Sequence, residues 1–198
     1  MTITRTSAKT AKIARIIAAL SLLIMAAQPL RAENRPGLDY AVASKLADKA
    51  LLLDVVQLGS RLIAVGEFGH VLISDDQGDN WRQAASVPTR STLTSVYFID
   101  NQTGFAVGHE ATILKTKDGG DNWSLQYNET RGETPLLVVY FTDSQNGISV
   151  GGFSYVFTTA DGGASWQQRA LIEESYDDFD INDLFTDTKG NMFIPAEF

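Results

Sequence analysis

The chain has no cysteine. That excludes a disulfide scaffold, a thiol nucleophile and any Cys-ligated zinc or iron–sulfur site. Histidine is nearly as scarce, with only His70 and His109. The two stand at non-equivalent places in the sequence, so a metal-ligand pair is unmotivated. Bases are outnumbered, 16 Lys and Arg against 24 Asp and Glu, for a formal net charge of −8. Phosphate neutralisation needs clustered bases, so nucleic acid is not expected as a partner. What is present is ordinary: 44% hydrophobic and 20% charged residues in a 198-residue chain. Wholesale disorder is excluded, and the length supports one domain.

The charge is unevenly placed. Residues 1–32 hold Arg5, Lys9, Lys12, Arg15 and Arg31 and no acid. The apolar run 16–27 has 12 residues, too short to span a bilayer comfortably. A basic head, a short apolar core and a small residue at the cut predict a secretory signal peptide cleaved after Ala32; an uncleaved anchor is the alternative. Beyond Ala32 there remain 11 bases against 24 acids, a net of −13. Such a surface is repelled by anionic lipid, so direct binding to an anionic membrane is not expected. The simplest destination is the periplasm.

The rest of the chain repeats. Trp81, Trp123 and Trp166 are 42 and 43 residues apart. Each closes the same phrase, Ser/Thr-x-Asp-x-Gly-x-x-Trp. It stands as Ser74, Asp76, Gly78 and Trp81; as Thr116, Asp118, Gly120 and Trp123; and as Thr159, Asp161, Gly163 and Trp166. A second phrase, apolar or aromatic residues before a glycine, ends at Gly66, Gly108 and Gly151 in the same step. A third, rich in β-branched and aromatic residues, covers 53–56, 93–98 and 136–141. Each copy reads as four short strands; in the second copy these are 93–99, 105–108, 112–116 and 123–127. Four strands in about 42 residues is the period of a propeller blade. The expected fold is therefore an all-β propeller, with three complete blades and half of a fourth. Residues 33–50 form an N-terminal segment, either a turn or two of helix on the propeller or a strand donated to close it. Residues 51–198 form the partial propeller.

Three equivalent aspartates one blade apart cannot converge on one substrate. Turn closure is the favoured role of Asp76, Asp118 and Asp161: the carboxylate accepts N–H bonds within its own turn, the hydroxyl adds a local bond, and the glycine two places on takes a positive φ. The Trp ring covers the hairpin. No catalytic residue, metal or cofactor is expected.

These phrases are those of the BNR or Asp-box repeat found in sialidases, sortilin-type receptors and other propellers. The fuller pattern, residues 93–100, 104–108 and 113–123, resembles the photosystem II assembly and stability factor family. That resemblance implies an exported, non-enzymatic propeller of seven blades that holds a membrane protein during assembly. A fourth copy starts at Ile181, and residues 191–198 match residues 61–68, so the chain reads as a C-terminally truncated member of a propeller of roughly 300 residues or more; a small open sheet stack or a propeller assembled from several chains is the alternative. The glycan-binding or sialidase-like hydrolase reading is the alternative. It needs arginines converging from inner strands, and Arg35, Arg61, Arg82, Arg90, Arg131 and Arg169 do not fall on the inner-strand phrases. The acidic run 173–180 lacks the glycine and regular ligand spacing of a calcium loop and reads as a solvated loop between blades.

Overall fold

The computed structural model describes residues 38–129, 134–169, 180, 181, 183–186, 192, 193 and 195–197. The expected signal peptide and most of the acidic run lie outside them. Among the described residues no helix is long and apolar enough to cross a membrane.

Three antiparallel sheets of four strands follow one another along the chain. The first is β1 (Leu52–Leu58), β2 (Arg61–Gly66), β3 (Val71–Ser74) and β4 (Arg82–Gln83). The second is β5 (Leu93–Phe98), β6 (Gly104–Gly108), β7 (Thr112–Thr116) and β8 (Trp123–Tyr127). The third is β9 (Leu136–Phe141), β10 (Gly147–Gly151), β11 (Val156–Thr159) and β12 (Gln167–Arg169). Each sheet keeps its strands in chain order. These are propeller blades, and the fold is all-β. The expected strand bounds hold to within one or two residues. Two further hairpin ladders follow, β13 (Asp180–Ile181) on β16 (Ala196–Glu197) and β14 (Phe185–Thr186) on β15 (Met192–Phe193). Ile181 faces Ala196 as Leu52 faces Gly66, and Phe185 faces Phe193 as Val56 faces Ile63. The fourth copy thus pairs in the register of the first.

The blades are held by their faces. Side chains alternate across a strand, so each blade has two faces and each needs a cover. Ile63, Val65, Val71 and Ile73 of the first blade pack with Val96, Phe98, Leu114 and Trp123 of the second. Phe105, Val107 and Ile113 of the second pack with Leu136, Val139, Phe141 and Phe157 of the third. Val150 and Val156 of the third pack with Ile181 and Leu184 of the fourth copy. Each such fully buried side chain contributes roughly 1.5–3 kcal/mol over exposure. Residues 38–51 lie along the first blade: Ala41 N–H donates to Val87 O, Ser44 N–H to Gln83 Oε1, and Ala47, in a single 3-10 turn, packs on Ala64 and Leu72. That turn, Ala47–Lys49, is the one regular element of the segment among the described residues.

The repeat glycines have a steric cause. A Cβ on Gly66, Gly108 or Gly151 would stand 2.0 Å from the carbonyl oxygen of Leu51, Thr92 or Pro135. There the inner strand bulges as it enters the blade, and its backbone crosses directly over the glycine.

Candidate functional site

The Asp-box phrase forms the same closed network three times. The Ser74 hydroxyl donates to Asp76 Oδ1 at 2.8 Å and accepts from Gly78 N–H at 2.8 Å. Asn80 donates to the same carboxylate twice, from its backbone N–H at 2.9 Å and its side-chain Nδ2 at 2.7 Å. Thr116, Asp118, Gly120 and Asn122 repeat these four bonds, as do Thr159, Asp161, Gly163 and Ser165. The partner four residues after the aspartate was not singled out from sequence; its identity varies between Asn and Ser, but each supplies two donors. The glycine φ values are 101°, 93° and 75°. The preceding residue is also left-handed, and in the first box it is Gln77. Its N–H, like those of Gly119 and Gly162, reaches back to the turn between the first two strands, on Ser60, Gln102 and Gln145.

The electrostatics follow from the donors. Asn80, then its backbone N–H and Ser74, pull the Asp76 carboxyl down to about 2. Ser165, its backbone N–H and Thr159 do the same for Asp161, also to about 2. Desolvation works to raise Asp118, yet the donors of Asn122 and Thr116 outweigh it and its shift is downward. A general acid for glycoside cleavage needs a carboxyl shifted up. All three box carboxylates are shifted the other way.

The tryptophans share a hairpin position but not every contact. The indole N–H groups of Trp81 and Trp123 donate to Gly78 O and Gly120 O at 3.0 and 2.8 Å. The buried Trp166 Nε1 has no protein partner. Its ring instead sits edge-on to both Phe105 and Phe141. Among the described residues Trp123 makes one such ring contact, with Phe98, the equivalent of Phe141; the equivalent of Phe105 is Ile63, which has no ring. Phe98 and Phe141 lie over Gly104 and Gly147, where a Cβ would be 2.6 Å from the ring. The first blade has Leu62 paired with Gln57 there, and no ring.

The boxes also tie neighbouring blades. A Cβ on Gly120 would be 3.0 Å from Ile63 Cδ1, and one on Gly163 would be 2.3 Å from Phe105 Cε1. Ile63 and Phe105 are equivalent residues on the second strand of the preceding blade. Cations join across the same seam. Arg61 donates to Gly119 O at 2.9 Å and pairs with Asp75 at 2.7 Å and Asp121 at 3.3 Å, while Arg82 bridges the same two carboxylates. The Lys115 ammonium donates to Gly162 O. Of the other arginines considered for a sialidase-like site, Arg90 faces Asp39 at 3.8 Å and Arg169 lies on the outer strand β12. Arg35 and Arg131 lie outside the described residues.

At the opposite end of each blade, the turn between the second and third strands is left-handed at two consecutive residues. These are Phe68 with Gly69, Glu110 with Ala111, and Phe153 with Ser154. Such pairs normally call on Asn or Gly, and a side chain there costs roughly 1–2 kcal/mol. His70 is buried beside the first turn, its Nδ1 without a partner, and desolvation lowers its pKa. His109, in the second turn, is exposed. The two histidines do not meet in a metal-ligand group; among the described residues no group of three or more His, Asp or Glu side chains is placed to hold a metal.

Residues 73–135 match the family model described as photosynthesis system II assembly factor YCF48. These are photosystem II assembly factor-like repeats. The "Photosystem II assembly lipoprotein Ycf48" of Trichormus variabilis is 51% identical over 39 residues, which is 19% of this chain and 12% of that protein. A structure of YCF48 bound to D1 peptide shares the fold at a TM-score of 0.58 and 20% identity, covering 81% of this chain. The chain spans about half of that structure, 51% of its length. A GH74 xyloglucanase from Xanthomonas campestris also shares the fold, at a TM-score of 0.56 and 13% identity over 70% of this chain and 25% of that one. The stretch matched by the assembly factor model contains the first two boxes. The third, beyond it, closes with the same bonds.

Proposed function

We propose that this chain is part of an exported, non-catalytic propeller scaffold that binds a membrane protein and assists the assembly or stability of its complex. The observation that carries this reading is the assembly factor-like repeat itself, together with box carboxylates engaged by donors of their own turns. Ser74, Asp76, Gly78 and Trp81, with their equivalents around Asp118 and Asp161, are structural in this reading, as are Gly66, Gly108 and Gly151. Residues 1–32 act as the export signal, 33–50 as an N-terminal segment and 51–198 as propeller. The structure of YCF48 bound to D1 peptide supports a photosystem II membrane subunit as the class of partner.

The test is a pull-down from detergent-solubilised membranes with the tagged mature chain. Recovery of one integral membrane protein, competed by untagged chain, supports the scaffold. A hydrolase reading draws on the shared fold with GH74 enzymes. Turnover of xyloglucan or of any member of a fluorogenic glycoside panel, including a sialoside, would overturn the non-catalytic assignment.

A further inference from the structure

The two ends of the blades differ in chemistry. The end holding the boxes carries an excess of acid, with Asp75, Asp76, Asp79, Asp100, Asp143 and Asp161 all exposed beside the cations Arg61, Arg82, Lys115 and Lys117. The opposite end, where the inner strands begin, carries three exposed large apolar side chains, whereas Leu53 and Val55 are exposed along β1, Val42 and Leu46 before it and Phe193 on β15. Leu51 is 58% exposed, Phe68 57% and Phe153 55%. Leu51 joins the turn that carries Phe68 through the backbone, since Glu67 N–H donates to Leu51 O at 3.0 Å.

Phe68 stands in a conformation that disfavours it. Its φ is 59°, in a turn where Asn would be cheaper, and burial does not compensate a ring left more than half in water. Beyond its edge contact with His70, folding gains little from choosing phenylalanine there. The third blade repeats the choice with Phe153 at a φ of 54°. A bulky left-handed residue held at a recurring surface position is a sign of function. The turn also adjoins a cleft. A Cβ on Gly69 would stand 2.3 Å from Thr89 O, and Thr89 lines an open cleft with Asp39, Pro88, Arg90, Ser91 and Glu110, in which Arg90 faces Asp39 at 3.8 Å and Glu110 is the second carboxylate. Ser91 Oγ donates to Glu110 Oε2 at 2.8 Å, which fixes that carboxylate at the cleft. An apolar ring beside a carboxylate-bearing cleft suits a side chain pair of matching kind, one apolar and one cationic.

We propose that this end of the blades docks an extended peptide segment of the partner protein in which an apolar side chain adjoins a Lys or Arg. The apolar side chain rests on Phe68, and the cation enters the cleft against Glu110. This deepens the scaffold reading above and rests on it.

The test uses fluorescence anisotropy with the mature chain and two labelled nonapeptides. Both alternate serine and leucine around a central residue, arginine in one and glutamate in the other. The arginine peptide is expected to bind at least tenfold tighter than the glutamate peptide. Phe68→Asn is expected to weaken it at least tenfold, Glu110→Gln to erase the preference between peptides, and the box-end change Asp79→Asn to leave binding as it was. Phe68→Asn is also expected to melt no lower than the parent, because Asn tolerates the left-handed backbone. Equal affinity for the two peptides, no binding of either, or loss of binding in Asp79→Asn would overturn the proposal. So would a lower melting temperature for Phe68→Asn with unchanged affinity, since Phe68 would then be packing. A chain that ignores both peptides yet still recovers a membrane protein in the pull-down loses this docking site and keeps the scaffold reading.

Discussion

Replacing Gly163 by alanine probes the seam between the second and third blades. The residue has a φ of 75°, and its new methyl would be placed 2.3 Å from Phe105 Cε1. Phe105 cannot swing away cheaply: it is fully buried and stacks on Phe141 with ring centroids 4.2 Å apart. The backbone term is roughly 1–2 kcal/mol. Forcing an extra carbon into a packed seam adds roughly 1–3 kcal/mol. The total, about 2–5 kcal/mol, lowers the melting temperature by roughly 5–15 °C for a domain of this size. Gly78→Ala is the internal reference. It has a positive φ of 101°, but its nearest contact is Leu62 Cδ1 at 3.6 Å, so only the backbone term applies. The assay is a thermal or urea melt of both variants and of Gly163→Ala combined with Phe105→Leu. The double variant is expected to recover at least 1 kcal/mol relative to the sum of the singles, because the smaller side chain vacates the space. Equal losses for Gly163→Ala and Gly78→Ala, or strict additivity in the double variant, would refute the packing of box onto preceding blade.

Three further outcomes follow from the same geometry. Asp118→Ala removes the acceptor of Thr116 and of both Asn122 donors, and is expected to cost about 1–3 kcal/mol in a urea melt, more than Asp79→Ala, whose side chain is exposed. Asp76 and Asp161 have folded pKa values depressed to about 2 from 3.8, so their stabilisation is complete above about pH 4 and is lost as pH falls toward 2. Melting temperatures between pH 5 and 2 are expected to drop mainly below pH 4, and the Asp76→Asn, Asp161→Asn double variant to show a shallower drop; a parent curve flat to pH 2 would contradict this. Arg61→Met breaks two partly exposed ion pairs and the bond to Gly119 O, and is expected to cost about 1 kcal/mol, less at 1 M salt, in melts at two ionic strengths.

The parts of this fold that show in sequence are those that recur at one register. The boxes at Asp76, Asp118 and Asp161 do so because each turn must satisfy its own backbone donors, and only Ser or Thr, Asp and Gly at fixed spacing suffice. Gly66, Gly108 and Gly151 also recur, but their cause was not visible. It lies in the carbonyls of Leu51, Thr92 and Pro135, each just ahead of a different strand. The blade-to-blade cations were missed because Arg61 starts a second strand whereas Lys115 is the last residue but one of a third, so no pattern joins them. The left-handed turns at Phe68, Glu110 and Phe153 were missed for a related reason. Their sequences, Glu-Phe-Gly, His-Glu-Ala and Gly-Phe-Ser, share no turn residue that would announce two positive φ values. The unlike setting of Trp166 depends on Phe105 of the neighbouring blade, which no local phrase reports.

The most direct test is an experimentally determined structure of residues 33–198, read for one quantity: the rotation that carries each blade onto the next. A single rotation is expected to superpose Asp76, Gly78 and Trp81 on Asp118, Gly120 and Trp123, and those on Asp161, Gly163 and Trp166. Two unlike rotations, or tryptophans in unrelated surroundings, would contradict the stacking of equivalent blades from which the scaffold and its docking end are argued.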